Sequence, residues 1–127
     1  MLFFRHESNG AVRALYEGPK RTPQFPVGPL QQTPAQLAPT PPRWRRQDWG
    51  ASNGRESLHR VGGHPTWVQS AQYPECPGCT KAMPFLLQLD SSLMSDDGGE
   101  WMWGSGGIGY FFWCDACQIS AGLWQCT

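Results

Sequence analysis

The sequence is short of the features that most often announce a function. No apolar run approaches the ~20 residues needed to span a bilayer, so no membrane-crossing helix is expected. The opening residues MLFFRHESNG carry no basic leader, no long apolar core and no small-residue cleavage site. That pattern excludes a secretory signal there and makes the cytoplasm the expected location. Ten basic and ten acidic side chains leave no net charge, whereas sequence-independent nucleic-acid binding draws on a positive surplus. Gly-x-Ser-x-Gly, His-Glu-x-x-His and a usable phosphate loop are all missing, and no enzyme is expected.

Five cysteines are present, and four form two Cys-x-x-Cys pairs, Cys76-Pro77-Gly78-Cys79 and Cys114-Asp115-Ala116-Cys117. Two residues between thiols make a tight turn that aims both sulfurs the same way. Two such turns brought together supply four soft ligands in a tetrahedron, the closed geometry of structural zinc. A redox pair would need its reactive thiol at a helix N-terminus, and Pro84 with the strand-like run after it leaves no room for one. One structural zinc held by Cys76, Cys79, Cys114 and Cys117 is therefore expected. Cys126 lies outside both pairs and reads as a spare thiol.

Around the cysteines the pattern is that of strands. LFF and AVRALY flank Ser8-Asn9-Gly10, a hairpin signal, with Val12, Ala14 and Tyr16 on one face and Arg13 and Leu15 on the other. Phe85, Leu87 and Leu89 alternate with Leu86, Gln88 and Asp90. Ile108, Tyr110 and Phe112 alternate with Gly109, Phe111 and Trp113, and Ile119, Ala121 and Leu123 with Ser120, Gly122 and Trp124. The last two runs predict a hairpin tipped by the second knuckle. Gly62-Gly63 and Pro65 predict a turn that delivers Trp67 and Val68 into the core, with His64 either a further metal ligand, an acid–base group or a hydrogen-bonding turn residue. Gly104-Ser105-Gly106-Gly107-Ile108-Gly109 matches a dinucleotide fingerprint literally, but a strand rather than a helix follows. Its glycines more simply form a tight turn or let Trp101 and Trp103 lie across the backbone.

The middle of the chain is different. Pro19 to Pro42 contains eight prolines, which bar a helix or an interior strand and predict an extended arm over the domain surface or a polyproline ligand. Residues 34–38 allow at most one helical turn. Arg43, Arg45 and Arg46 with Trp44 and Trp49 form a basic aromatic cluster suited either to stacking on nucleic acid or to pairing with Asp90, Asp96, Asp97 or Glu100. Residues 1–60 hold nine basic and four acidic side chains and residues 61–127 one and six, so attraction between the halves, or between the basic strip and an acidic partner, is expected. The loop at 91–100 carries three acids without the calcium-binding spacing of an EF-hand and reads as solvated.

Taken in order, Val61-Gly62-Gly63-His64-Pro65-Thr66-Trp67-Val68-Gln69, the CPGC knuckle, Phe85-Leu86-Leu87-Gln88-Leu89-Asp90, the 103–113 aromatic segment and Leu123-Trp124-Gln125 resemble the YwqG-like bacterial proteins. That superfamily also includes the C-terminal domain of programmed cell death protein 2. The resemblance covers about residues 60–127, with a fainter likeness over 1–18. It implies a domain of α+β class, predominantly β, with a zinc-binding cysteine set. It also implies protein binding, chaperone-like in the eukaryotic relatives. The expected organisation is one domain over 1–127: a small antiparallel sheet with a four-cysteine zinc-knuckle staple and a long Pro-rich extended segment. Within it, 1–18 form an N-terminal hairpin, 19–58 the Pro-rich and basic segment, and 59–127 the zinc-bearing β core. The expected function is a zinc-stabilised protein-interaction module. The alternative is a zinc-ribbon-like nucleic-acid binder using Arg43 to Trp49.

Overall fold

Six strands form one antiparallel sheet in a computed structural model that describes residues 1–15, 36–39, 59–91, 103 and 106–126. They are β1 (Leu2–His6), β2 (Val12–Ala14), β3 (Arg60–Val61), β4 (Phe85–Asp90), β5 (Gly107–Cys114) and β6 (Ile119–Cys126). The spatial order is β2-β1-β6-β5-β4-β3, which puts the eight-residue strands β5 and β6 at the centre. Among the described residues there is no helix, so the α+β expectation is corrected to all-β. Of residues 34–38, where the sequence allows one helical turn, the described residues 36–38 carry no regular structure. The rest of the Pro-rich arm, the Arg43–Trp49 cluster and the acidic positions Asp96, Asp97 and Glu100 lie outside the described residues.

The N-terminal hairpin forms as its turn residues predict, with one refinement. Only Gly10 takes a positive φ, +84°, and Gly10 N–H donates to the Glu7 carbonyl while Glu7 N–H donates to that of Ala11, both at 2.9 Å. This is a three-residue loop with glycine at its left-handed position. Asn9 contributes its side-chain oxygen, which accepts Ala11 N–H at 2.8 Å.

Pairing across β5 and β6 runs from Gly107 opposite Cys126 to Cys114 opposite Ile119. One sheet face therefore presents Ile108, Tyr110, Phe112 and Cys114 beside Gln125, Leu123, Ala121 and Ile119, all buried. Trp67, Cys76 and Met83 from the chain between β3 and β4 cover this face and complete the core. Phe112 sits at its centre, in ring contact with Trp67, Tyr73 and Phe85 at 5.9–6.2 Å.

β4 departs from the expected phase. Phe85 pairs with Phe112, but Leu87 pairs with Phe111, so Leu86 is an extra residue that bulges out of the ladder. The bulge reverses the alternation beyond it. Gln88, not Leu87 or Leu89, follows Phe85 onto the core face, where it is fully buried, while Leu86 is exposed. Arg60–Val61, for which the sequence predicts no element, is a two-residue edge strand on β4.

Polar ties hold the cover to the sheet. Thr66 N–H donates to Gln88 Oε1 at 2.8 Å. The Tyr110 hydroxyl accepts Val68 N–H at 3.0 Å and donates to the Thr66 carbonyl at 2.8 Å. Gln125 accepts Gln69 N–H at 2.8 Å and donates to the Ser70 carbonyl at 2.7 Å. Three side chains from three adjacent strands thus satisfy the backbone of residues 66–70, which crosses the sheet without joining it. Gly62 and Gly63 upstream take φ of +70° and +74°, the left-handed turn their sequence predicts.

Candidate metal centre

The first knuckle sits in a short hairpin of its own. Met83 N–H donates to the Pro74 carbonyl, Cys76 N–H to that of Lys81 and Thr80 N–H to that of Cys76, at 2.8–2.9 Å. Gly78 N–H points back at Cys76 Sγ, 3.4 Å away. The second knuckle is the tip of the β5–β6 hairpin, where Gln118 Nε2–H donates to the Asp115 carbonyl at 2.6 Å. In both, the residue after the second cysteine is left-handed, Thr80 at φ +59° and Gln118 at +53°. The two turns are closed in the same way although they arise from different parts of the chain.

The hairpins bring all four sulfurs together. Cys76, Cys79, Cys114 and Cys117 lie with every Sγ within 4.8 Å of the others, and Cys79 and Cys114 are 3.7 Å apart. Zn–S bonds of about 2.3 Å in a tetrahedron set sulfurs about 3.8 Å apart, and the observed spacing fits. All five cysteines are free thiols, so no disulfide competes for the sulfurs. Gly78 is required at the contact between the knuckles, since a Cβ there would lie 2.9 Å from Cys117 Sγ. The arrangement can hold one metal ion with four protein ligands.

Protonation separates Cys76 from Cys114 and Cys117. Burial pushes the Cys76 thiol up, but N–H groups of Gly78 and Cys79 and the neighbouring S–H groups outweigh it and bring the thiol down to about 7. Cys117 is pushed up to about 12, first by burial and then by its sulfur neighbours. Cys114 is raised: the Cys117 N–H lowers it, but burial and the adjoining thiols prevail. Cys76 is thus favoured as a thiolate over Cys114 and Cys117, as expected when like charges crowd one site.

His64 is exposed, and its carbonyl accepts a hydrogen bond from the buried Arg60 guanidinium. It serves as a turn residue, outside the sulfur cluster. Cys126 also stands apart, its carbonyl accepting from Gln69 Nε2–H at 2.6 Å. The first knuckle leads into β4 and not into a helix, so Cys76 has no helix dipole to activate it.

The opposite sheet face carries a feature the alternation pattern did not single out. Leu2, Phe4, Trp103, Phe111, Gly122 and Trp124 line a cleft of about 150 Å³. Trp103 lies across Gly109, where a Cβ would meet its ring at 2.9 Å, which is one of the two roles its glycine-rich surroundings suggested. Trp124 at the rim is 43% exposed. A tryptophan on the solvent-facing phase of a central strand, opposite Gly109, was the available signal.

A family model described as "Domain of unknown function (DUF1963)" matches residues 12–116, from β2 through the start of the second knuckle. The chain belongs to the DUF1963 family. The expected kinship with bacterial proteins of unknown function is thus met. A curated relative is "Uncharacterized protein YpfL" of Salmonella typhimurium (strain LT2), 40% identical over 72 residues. The match covers 56% of this chain and 16% of YpfL, so the DUF1963 chain spans about a sixth of that relative's length. No solved structure matches the chain. Among the described residues no helix is long and apolar enough to cross a membrane.

Proposed function

We propose that this DUF1963 protein is a zinc-stapled β module that binds another protein. The observation that carries the reading is the convergence of four thiols from two separate hairpins. Cys76 and Cys79 belong to the cover, Cys114 and Cys117 to the central β hairpin, so one ion shared among them ties the two layers together. The thiolate set suits zinc over harder divalent ions. Four protein ligands leave no position for an activated water, and the centre has a structural, non-catalytic role. Apparent binding energies of about 10–16 kcal/mol for small zinc modules exceed the whole stability of a typical domain.

Protein binding draws support from the aromatic cleft on the other face. Tryptophan and phenylalanine are enriched in interface cores because rigid rings bury much area at low entropic cost. Binding would occur at the sheet face away from the staple, in the cytoplasm, with the chaperone-like relatives of the fold as the precedent. The nucleic-acid alternative rests on Arg43 to Trp49, and no observation on the described residues favours it. The test is affinity capture from native cells with the intact chain and with Trp124→Ala. A partner retained by the first and lost by the second, with equal melting temperatures, supports the reading. Identical captures would place binding elsewhere and contradict the cleft assignment.

A further inference from the structure

The two cysteines of each knuckle are not equivalent. Cys76 and Cys114 are buried, whereas Cys79 and Cys117 are half-buried. One cysteine of each knuckle is therefore more accessible than the other to solvent, and to an oxidant of water-like size. Resting on the zinc reading above, we propose that Cys79 and Cys117 are sites of oxidation by hydroperoxides and that their oxidation unclasps the cover from the sheet.

The chemistry closes within each knuckle. Deprotonated, as metal binding would require, the more accessible thiolate attacks the peroxide O–O bond, becoming a sulfenic acid and releasing one hydroxide, which takes a proton to leave as water. The buried partner two residues away attacks that sulfur, forms the S–S bond and expels the sulfenic oxygen as a second water. Per knuckle, two thiolates, one hydrogen peroxide and two protons give one disulfide and two waters. Two equivalents of peroxide thus convert all four donors into the disulfides Cys76–Cys79 and Cys114–Cys117. Disulfide sulfur is no longer a thiolate ligand, so no donor set remains for the ion.

The fold is arranged so that loss of the staple has a local consequence. The hairpin 74–83 makes its backbone hydrogen bonds internally, Met83 to Pro74, Cys76 to Lys81 and Thr80 to Cys76. It can leave the sheet as a unit without orphaning those groups. Residues 66–70 stay tied by Gln88, Tyr110 and Gln125. The surface uncovered would be that between Met83 and Cys76 on one side and Ile119 on the other, all at most 2% exposed in the closed form.

The test uses the full chain purified with its zinc, titrated with hydrogen peroxide. Zinc release is read with a chromogenic chelator, disulfides by peptide mapping, and opening by amide hydrogen exchange. The proposal expects loss of the bound zinc, the two within-knuckle disulfides, and exchange at 74–83 faster by roughly tenfold or more, with β5 and β6 still protected. Added dithiol and zinc should restore the starting state, and Cys126→Ser should behave as the unaltered chain. Zinc that stays bound at millimolar peroxide overturns the proposal. So does a Cys79–Cys114 disulfide with 74–83 still protected, or a response abolished by Cys126→Ser. A chain purified without zinc overturns the underlying zinc reading itself, and is told apart by the metal content before any peroxide is added.

Discussion

At the scale of single residues, the least conventional members of the core are polar. Gln88, Tyr110 and Gln125 occupy core-face positions and direct their hydrogen bonds to the backbone of 66–70. Removing one partner of a buried pair strands the other at a cost of about 1–3 kcal/mol. Gln88→Leu is therefore expected to lower the melting temperature by several degrees, read by circular dichroism, although it makes the core more apolar. Tyr110 adds a pH dependence. Burial, and to a lesser extent the charge of Asp90, push its hydroxyl up to about 12, against an ordinary value near 10. The fold prefers the neutral phenol, so this contribution is fully present below pH 10 and is lost as pH rises through 10 toward 12. Melting curves between pH 8 and 11 should show that loss in the unaltered chain and less of it in Tyr110→Phe. Gln88 and Gln125 were hard to read in the sequence because a Gln in the inward phase looks like an interruption of an apolar pattern, and Tyr110 was read as an inward ring without a role for its hydroxyl. Only the segment lying across them explains their chemistry.

At the scale of elements, β5 and β6 were legible because the inward phase recurs every second residue in each, their pairing runs over eight positions without a bulge and the Cys-x-x-Cys tip fixes their register. β4 was legible as a strand but not in its phase. One bulged residue, Leu86, moves Leu87 and Leu89 to the opposite face from that expected, and nothing in FLLQLD marks where the ladder slips. β3 was invisible, since two residues beside a Gly-Gly turn carry no periodicity. The glycines of the central hairpin give the sharpest expectations. At Gly107 a Cβ would fall 2.0 Å from the Gln125 carbonyl oxygen, a backbone atom that cannot give way. Gly107→Ala is expected to cost more than ~3 kcal/mol, above the usual span for a single substitution, and urea unfolding would measure it. Gly78→Ala acts on the knuckles. By pressing on Cys117 Sγ it should weaken metal binding more than it lowers the stability of the metal-free chain, a difference that a chelator competition titration resolves.

At the scale of the molecule, a single sheet has one face under a cover and the other beneath an aromatic cleft. β2 and β3 stand at opposite edges, and the cover reaches the sheet through polar ties at one end and four sulfurs at the other. Spacing and ligand type made the sulfur site readable from sequence. The cleft was not, because its walls come from β1, β5, β6 and Trp103 and meet only in three dimensions. Metal binding should also respond to pH. Cys114 and Cys117 are held above the ordinary thiol range, so an incoming dication must displace their protons. Affinity then falls as pH falls, on the order of tenfold per displaced proton for each pH unit, and competition titrations at pH 6, 7 and 8 should show that slope. The central claim is that an ion shared by Cys76, Cys79, Cys114 and Cys117 fastens the cover to the sheet. Elemental analysis paired with thermal unfolding, before and after treatment with a strong chelator, tests it most directly. The expected result is one zinc per chain and loss of the cooperative transition when the zinc is removed. Metal-free protein that melts unchanged would contradict it.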